Sequence, residues 1–555
     1  MDDAPMPERP ADLVLRGGSV QTMDAVRRWV RAVAVRDGRI ALVGTDAEVG
    51  PLIGPRTRVV ELHGRTVLPG FGDAHVHPIQ AGVERTKCYL YDAEGRDETL
   101  DTIRRYAETH AELAWIEGAG WHMADYPGGT PHREELDAIV PDRPVYLENR
   151  DGHGAWVNSR ALEMAGITAT TPDPVDGRIE RDPDGSPSGT LHEGAMGLVE
   201  DLLPDDTAEE CADGLRWAQA YLHSLGITNW QHASVAPADH EAYRAADDRG
   251  ELTARVVGAL RWDLDRGADQ IGELIERRRT ASAGRRYRAT AVKIFQDGVA
   301  ENFTAAMLEP YLDAKGRPTR NTGISHVEPE ALKAHVARLD ADGFQVHFHA
   351  LGDRAVREAL DAVEAARSAN GMSDGRHHLA HIQVVHRDDI ARFGRLGAIA
   401  NAQPLWATNE PQMDRLTIPF LGPERAARQY PFRSLLRAGA MMAMGSDWSV
   451  STPNVLLQVE VAVTRVSPER RGEREPFLPD ERIEPLDALH AFTMGTAYVN
   501  HLEREVGSLE AGKAADIVVL DRDVFDRGAG PIGDAQVVAT FIDGKAVYEV
   551  AALEA

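Results

Sequence analysis

Eight short apolar segments recur through the middle of this chain, and between most of them lie stretches of helical periodicity. The segments are TVLPGFGDAH, ITNWQHAS, TARVVGALRW, ATAVKIFQDG, FQVHFHALGD, HHLAHIQVV, AIANAQPLW and AMMAMGSDW. The intervening stretches include EPEALKAHVARLDADG and DRAVREALDAVEAARSANG. Alternation of this kind builds a parallel sheet covered by helices. Eight such units predict a TIM-type (β/α)8 barrel, with a doubly wound open sheet as the alternative.

The two ends of the chain read differently. DLVLRGGSV, AVAVRDGRIALVG and RVVELHGRTVLPG near the start alternate apolar and polar residues and break at glycines. ADIVVLDRD and VVATFIDGKAVYEV near the end do the same. One small β-domain assembled from both termini is expected. About 140 residues separate the first barrel segment from the second, against a usual connection of a few residues. An inserted subdomain, carrying WIEGAGW, RPVYLENRDGHGAWVN and DGRIERDPDGSPSGTLHEGA, is expected there. Loops that follow barrel strands lie on the active-site face, so the insertion should cover or shape the pocket.

With 555 residues, 43% of them hydrophobic and 27% charged, the chain has the composition of a soluble protein with a large core. Its formal net charge of −27 argues against nucleic acid and against an anionic membrane surface as partners. Cys88 and Cys211 form no CxxC pattern, which fits a reducing, cytoplasmic compartment. The acidic, Pro-rich start MDDAPMPERPADLVL lacks the basic and apolar regions of a secretory signal. No run of 18 or more apolar residues offers a membrane span.

In DAHVHP, His75 and His77 stand two apart and point to one face if the segment is a strand end. Two neutral imidazoles on one face are a common beginning of a metal site. Other strand ends carry further polar groups: Lys293 in AVKIFQDG, His347 and His349 in VHFHALGD, His381 in LAHIQ and Asp447 in GSDW. Taken singly, His381 could be a core histidine, Lys293 an ion-pair partner and Asp447 a turn cap. Together they converge, because a barrel has one catalytic face.

With these residues in place, the chain resembles the amidohydrolase superfamily, in the branch of amidohydrolase family 3 that includes the N-substituted formamide deformylases. The resemblance runs over nearly the whole chain. It rests on DAHVHP, RPVYLENRDGHGAWVN, VKIFQDGVAENFTAAMLEPY, HFHALGDRAV, HIQVVH, GSDWSV and GSLEAGKAADIVVLD, in that order. It implies a barrel over 66–84 and 206–503, a composite β-sandwich over 1–65 and 504–555, and an insertion over 85–205. It also implies that His75 and His77 bind the more buried of one or two metal ions. Lys293 aligns with a lysine that reacts with carbon dioxide to form a carbamate, an anionic ligand able to bridge two ions where an ammonium has no lone pair to offer. His349 and His381 are then ligands of the second ion, and Asp447 touches the first ion and the attacking water. His347 is the alternative to His349, which is preferred because it precedes the LGD turn. Zinc suits imidazole and carboxylate ligands, with iron, manganese and nickel as alternatives. The family often has an acidic residue just before the strand-six histidine, where this chain has Ala380. That departure puts a hydrogen-bond partner for His381 in doubt.

The chemistry implied is hydrolysis of a non-peptide C–N bond by a metal-activated hydroxide, with Asp447 accepting the proton and passing it to the leaving nitrogen. The partner is a small-molecule amide, an N-substituted formamide or a relative of one, and the chain could form a homodimer. Ester, lactone or carbamate hydrolysis on the same metal site is one alternative. A metal-stabilised regulator or scaffold without catalysis is another. Trp121, His153, Trp156, Trp406 and Trp448 are candidates for pocket walls, and Glu193 and Asp297 for substrate contacts. No arginine cluster marks a polyanion pocket. No GxSxG, P-loop or GxGxxG fingerprint competes.

Overall fold

The computed structural model describes residues 9–281, 284–526 and 528–551. Most of the expected N-terminal segment falls within this range, but its first eight residues do not. Eight parallel strands form the central sheet in chain order. They are β1 (Phe71–Val76), β2 (Ile227–Val235), β3 (Arg255–Arg261), β4 (Tyr287–Phe295), β5 (Gln345–Ala350), β6 (His378–His381), β7 (Ile399–Ala402) and β8 (Met442–Met444). Each of the eight apolar segments supplies one, and the fold is a TIM-type barrel.

β8 and β1 share no strand ladder, and the barrel closes through the segment that follows β8. The Asp447 amide donates to the His75 carbonyl at 2.7 Å, and the His77 amide donates to the Trp448 carbonyl at 2.8 Å. Asp73 fastens the same seam, accepting from the Ser446 amide at 3.0 Å and the Ser446 hydroxyl at 2.5 Å. A Cβ at Gly445 would lie 2.4 Å from the His75 nitrogen, so only glycine permits this approach. The seam therefore brings Asp447 against the histidines of β1.

The stretch TVLPGFGDAH is not one strand. Thr66–Pro69 belongs to another sheet, and the chain passes into β1 at Gly70, where a Cβ would meet Thr228 at 2.5 Å. Thr66–Pro69 pairs with Ile517–Leu520, so the two chain ends share a six-stranded sheet. A four-stranded sheet of Leu13–Arg16, Ala32–Arg36, Arg39–Gly44 and Arg58–Glu61 faces it. Leu13, Leu15, Val33 and Val35 of one sheet pack with Ile517, Val519 and Phe541 of the other, burying the alternating apolar residues seen in the sequence.

Between β1 and β2 stands a separate six-stranded sheet, in the order Gly177–Arg181, Pro187–Glu193, Gly154–Val157, Val145–Asn149, Ile116–Trp121, Cys88–Tyr89. Its own apolar core includes Trp121, Tyr126, Leu147 and Trp156. Cys88 and Cys211 are both free and buried. Among the described residues, no helix is long and apolar enough to cross a membrane.

Candidate active site

A cavity of about 1270 Å³ opens at the C-terminal ends of the barrel strands, walled by barrel residues and by the insertion. Strand alternation places His75 in its floor, and His77 follows at the start of the helix Pro78–Glu84. The Nε2 atoms of His75 and His77 lie 3.3 and 3.1 Å from the same Asp447 oxygen, Oδ1. Lys293 Nζ lies 3.4 Å from His75 Nε2. His381 Nδ1 faces the other Asp447 oxygen at 3.9 Å, and the His349 and His381 rings are 4.5 Å apart. The structure thus brings all six sequence-selected ligands, His75, His77, Lys293, His349, His381 and Asp447, to one cavity.

The arrangement fits a metal ion. Ligand atoms of His75, His77 and Asp447 lie within 4.8 Å of one another, a spacing that one cation can draw together. The Nδ1 atom of His381 is buried beside Asp447 with no hydrogen-bond partner, an open donor position. Burial, and then the charge on Lys293, lower His75 to about 3, so its imidazole is the neutral form that ligates. Burial also carries Lys293 down to about 7, so that near neutral pH a share of the amine is unprotonated and has a free lone pair. Burial opposes the Asp447 charge, but His75 and His77 outweigh it and hold the carboxylate well below its usual range.

Support for these groups comes from behind the cavity. His75 Nδ1 meets His347 Nε2 at 2.9 Å, which leaves Nε2 of His75 for the cavity. His347 lies behind His75 and away from the cavity wall, whereas His349 is part of it. The Nδ1 atom of His349 faces Asp297 Oδ1 at 3.3 Å. Asp297 also accepts from the amides of Ala306, Leu351 and Gly352 at 3.0, 3.0 and 2.8 Å. Burial pushes Asp297 up to about 8, while these three amides favour its ionised form. Among the described residues, none gives the Nδ1 atom of His381 such a hydrogen-bonded anchor. Trp406 instead stacks on its ring at 5.2 Å and an interplanar angle of 6°. His381 and Asp447 both have positive φ, 75° and 55°, a strained backbone that the surrounding packing must hold.

The expected substrate wall needs correction. Trp121 and Trp156 are fully buried in the insertion core, where their indole N–H groups donate to the Leu147 and His132 carbonyls. They lie on the inward face of the insertion sheet, so they pack instead of lining the cavity. Trp448 turns its ring onto Trp217 and Tyr221 and likewise stays out of the wall. Asp297 is fully buried and anchors His349 and the Leu351–Gly352 turn, without touching the cavity. Trp406, His153 and Glu193 do line it.

His153 Nδ1 bonds Glu193 Oε2 at 2.9 Å, and the His153 ring lies 4.9 Å from that of His349. Burial opposes both charges, yet the pairing wins, setting His153 at about 9 and Glu193 at about 2. Sequence reasoning missed His232 at the end of β2 and Arg261 at the end of β3, both in the wall. Their signal was available, since each is a polar residue at the end of an apolar strand. Glu84, Tyr91, Glu148 and Arg150, also in the wall, carried no local signal.

The chain is similar to known proteins in sequence and in fold. The chain is 31% identical to the N-substituted formamide deformylase of Arthrobacter pascens, over 97% of this chain and 98% of that one. It is 32% identical to the protein LONG AFTER FAR-RED 3 of Arabidopsis thaliana, over 97% and 92% of the two chains. A crystal structure of an uncharacterised metal-dependent hydrolase from Pyrococcus furiosus superposes with a TM-score of 0.69 at 25% identity, covering 92% of this chain and 99% of the other. The model of the amidohydrolase family matches residues 58–548, a span that includes every ligand candidate above, and the chain belongs to that family.

Proposed function

We propose that this protein is a metal-dependent hydrolase of a non-peptide C–N bond, acting on an N-substituted formamide or a related small amide. The observation that carries the reading is the meeting of His75 Nε2 and His77 Nε2 on Asp447, with Lys293 Nζ beside His75, at the mouth of the barrel. The family, and a relative named as a formamide deformylase, support the bond type.

A divalent ion, zinc by the nature of the donors, supplies Lewis acidity and lowers the pKa of water when bound here. His75, His77 and Asp447 would hold it, and His349 and His381 would be ligands of a second ion. The neutral Lys293 amine attacks carbon dioxide and loses a proton, leaving a carbamate whose two oxygens add an anionic ligand. Asp447 accepts the proton of the attacking water on its carboxylate and returns it to the leaving nitrogen. His153, fixed by Glu193, presents its ring to the cavity beside His349 and orients the substrate. The two buried free cysteines agree with a reducing, cytoplasmic compartment.

The test begins with metal content per chain in protein purified without chelator. Zinc-loaded protein is then offered N-alkyl and N-aryl formamides and the matching esters, and formate and amine are followed. We expect bound metal and turnover of formamides. Turnover of esters alone moves the assignment to an esterase on the same site. Bound metal without any turnover favours a regulator.

A further inference from the structure

The cavity has a second polar region besides the histidine cluster. Glu84 from the helix Pro78–Glu84, Glu117 and Glu148 from the two adjacent insertion strands, and Glu200 from the short helix Gly197–Glu200 contribute to its wall. The nearby cation Lys87 is already engaged, by Glu117 and by Asp206. The Glu148 carboxylate has no hydrogen bond or ion pair with any described residue, and its neighbours include Glu200, Glu84 and Glu117. Glu84 is only 7% exposed. Its Oε1 accepts from Gln80 at 2.9 Å, while its buried Oε2 has no completed hydrogen bond. The Tyr91 and Ser449 hydroxyls, 3.1 Å apart, stand beside it, and Ser449 lies two residues beyond Asp447. Burial, reinforced by these like charges, pushes Glu148 up to about 8. With Lys87 shared between Glu117 and Asp206, carboxylates outnumber cations at this end of the cavity, and that excess costs free energy that an incoming cation offsets.

A bare metal ion is not the matching cation. Among the described residues, the group His75, His77 and Asp447 is where three such ligand atoms lie close enough to hold one, and no trio of these glutamates qualifies. The wider spacing suits a larger cation that donates several hydrogen bonds in different directions.

We propose that Glu84 and Glu148 bind an ammonium or guanidinium group of the substrate while its amide lies at the histidine cluster, so that the preferred substrates are cationic amides such as mono-acylated diamines. This rests on the amide-hydrolase reading above and names its substrate class. The chain's net charge of −27 favours the approach of such molecules.

The test compares N-formyl-diaminobutane with N-formylpentylamine, a neutral compound of the same length. Binding is measured by calorimetry on zinc-loaded Asp447→Asn protein, and hydrolysis on the zinc-loaded wild type. The cationic compound is expected to bind at least about tenfold tighter, the low end for hydrogen bonds to a charged group. That ratio should collapse toward unity in Glu148→Gln and in Glu84→Gln, either variant sufficing if the other does not fold. A ratio near unity in the parent protein, or one unchanged in both variants, overturns the proposal, even if both compounds are hydrolysed equally well. A clear binding preference without hydrolysis of either compound supports cation recognition and overturns the amide-hydrolase reading instead.

Discussion

His347 Nε2 lies 2.9 Å from His75 Nδ1, so a histidine behind the cavity sets the orientation of one that faces it. The contact engages Nδ1 of His75 and leaves its Nε2 facing Asp447 and Lys293. The ring of His347 is in turn packed on His378, 4.0 Å away. Truncation in His347→Ala is expected to weaken zinc binding about 10–100-fold while the barrel persists. Competition with a chelator, alongside circular dichroism, measures this. Unchanged affinity in a folded variant removes His347 from the supporting role.

Lys293 is 1% exposed, in the wall of the cavity. Replacing it in Lys293→Met keeps the length and removes a buried amine, so thermal stability without metal should equal or exceed that of the parent. Hydrolysis should fall more than about 100-fold, beyond the loss expected of a residue that only orients a ligand. Isotope-labelled bicarbonate and carbon NMR should reveal a carbamate signal in the parent protein and none in the variant. Full activity in Lys293→Met would falsify the carbamate assignment.

Asp297 joins three backbone amides to His349, so its loss acts on the fold and the site together. In Asp297→Ala the amides of Ala306, Leu351 and Gly352 lose their buried acceptor. The expected cost is on the order of 3 kcal/mol, with a lower metal stoichiometry at equal zinc. Urea unfolding and metal analysis give the two numbers. A variant as stable as the parent shows that water or another acceptor has taken over.

Asp340 offers a test remote from the cavity. It accepts from His377 Nε2 at 3.1 Å, Ser373 Oγ at 2.6 Å and Asn370 Nδ2 at 2.8 Å, and the His377 contact, chief among these, depresses its pKa. A carboxyl depressed in the folded state adds stability above its unfolded value, near about 4, and loses it as pH falls toward the folded value. The parent should therefore exceed Asp340→Asn by about 1–3 kcal/mol at neutral pH, with the gap closing below about pH 4. Denaturant titrations across pH measure it. A gap independent of pH means that shape, not charge, holds this corner.

The sequence by itself pointed to the barrel, because strand–helix alternation is a local pattern and eight units of it favour closure over an open sheet. It also marked the candidate ligands, because period-two alternation in a strand decides which residues face inward and the barrel brings all strand ends to one face. His75, His77, Lys293, His349 and His381 were legible for that reason, and Asp447 from its place after the last apolar segment. Tertiary structure alone decided the rest of the cavity wall. Trp121 and Trp156 looked like pocket residues but face the insertion's own core. Glu84 and Glu148 carried no local signal, yet both line the cavity. The side that an inserted sheet turns toward a barrel depends on packing between segments far apart in the chain. No short-range periodicity records that choice.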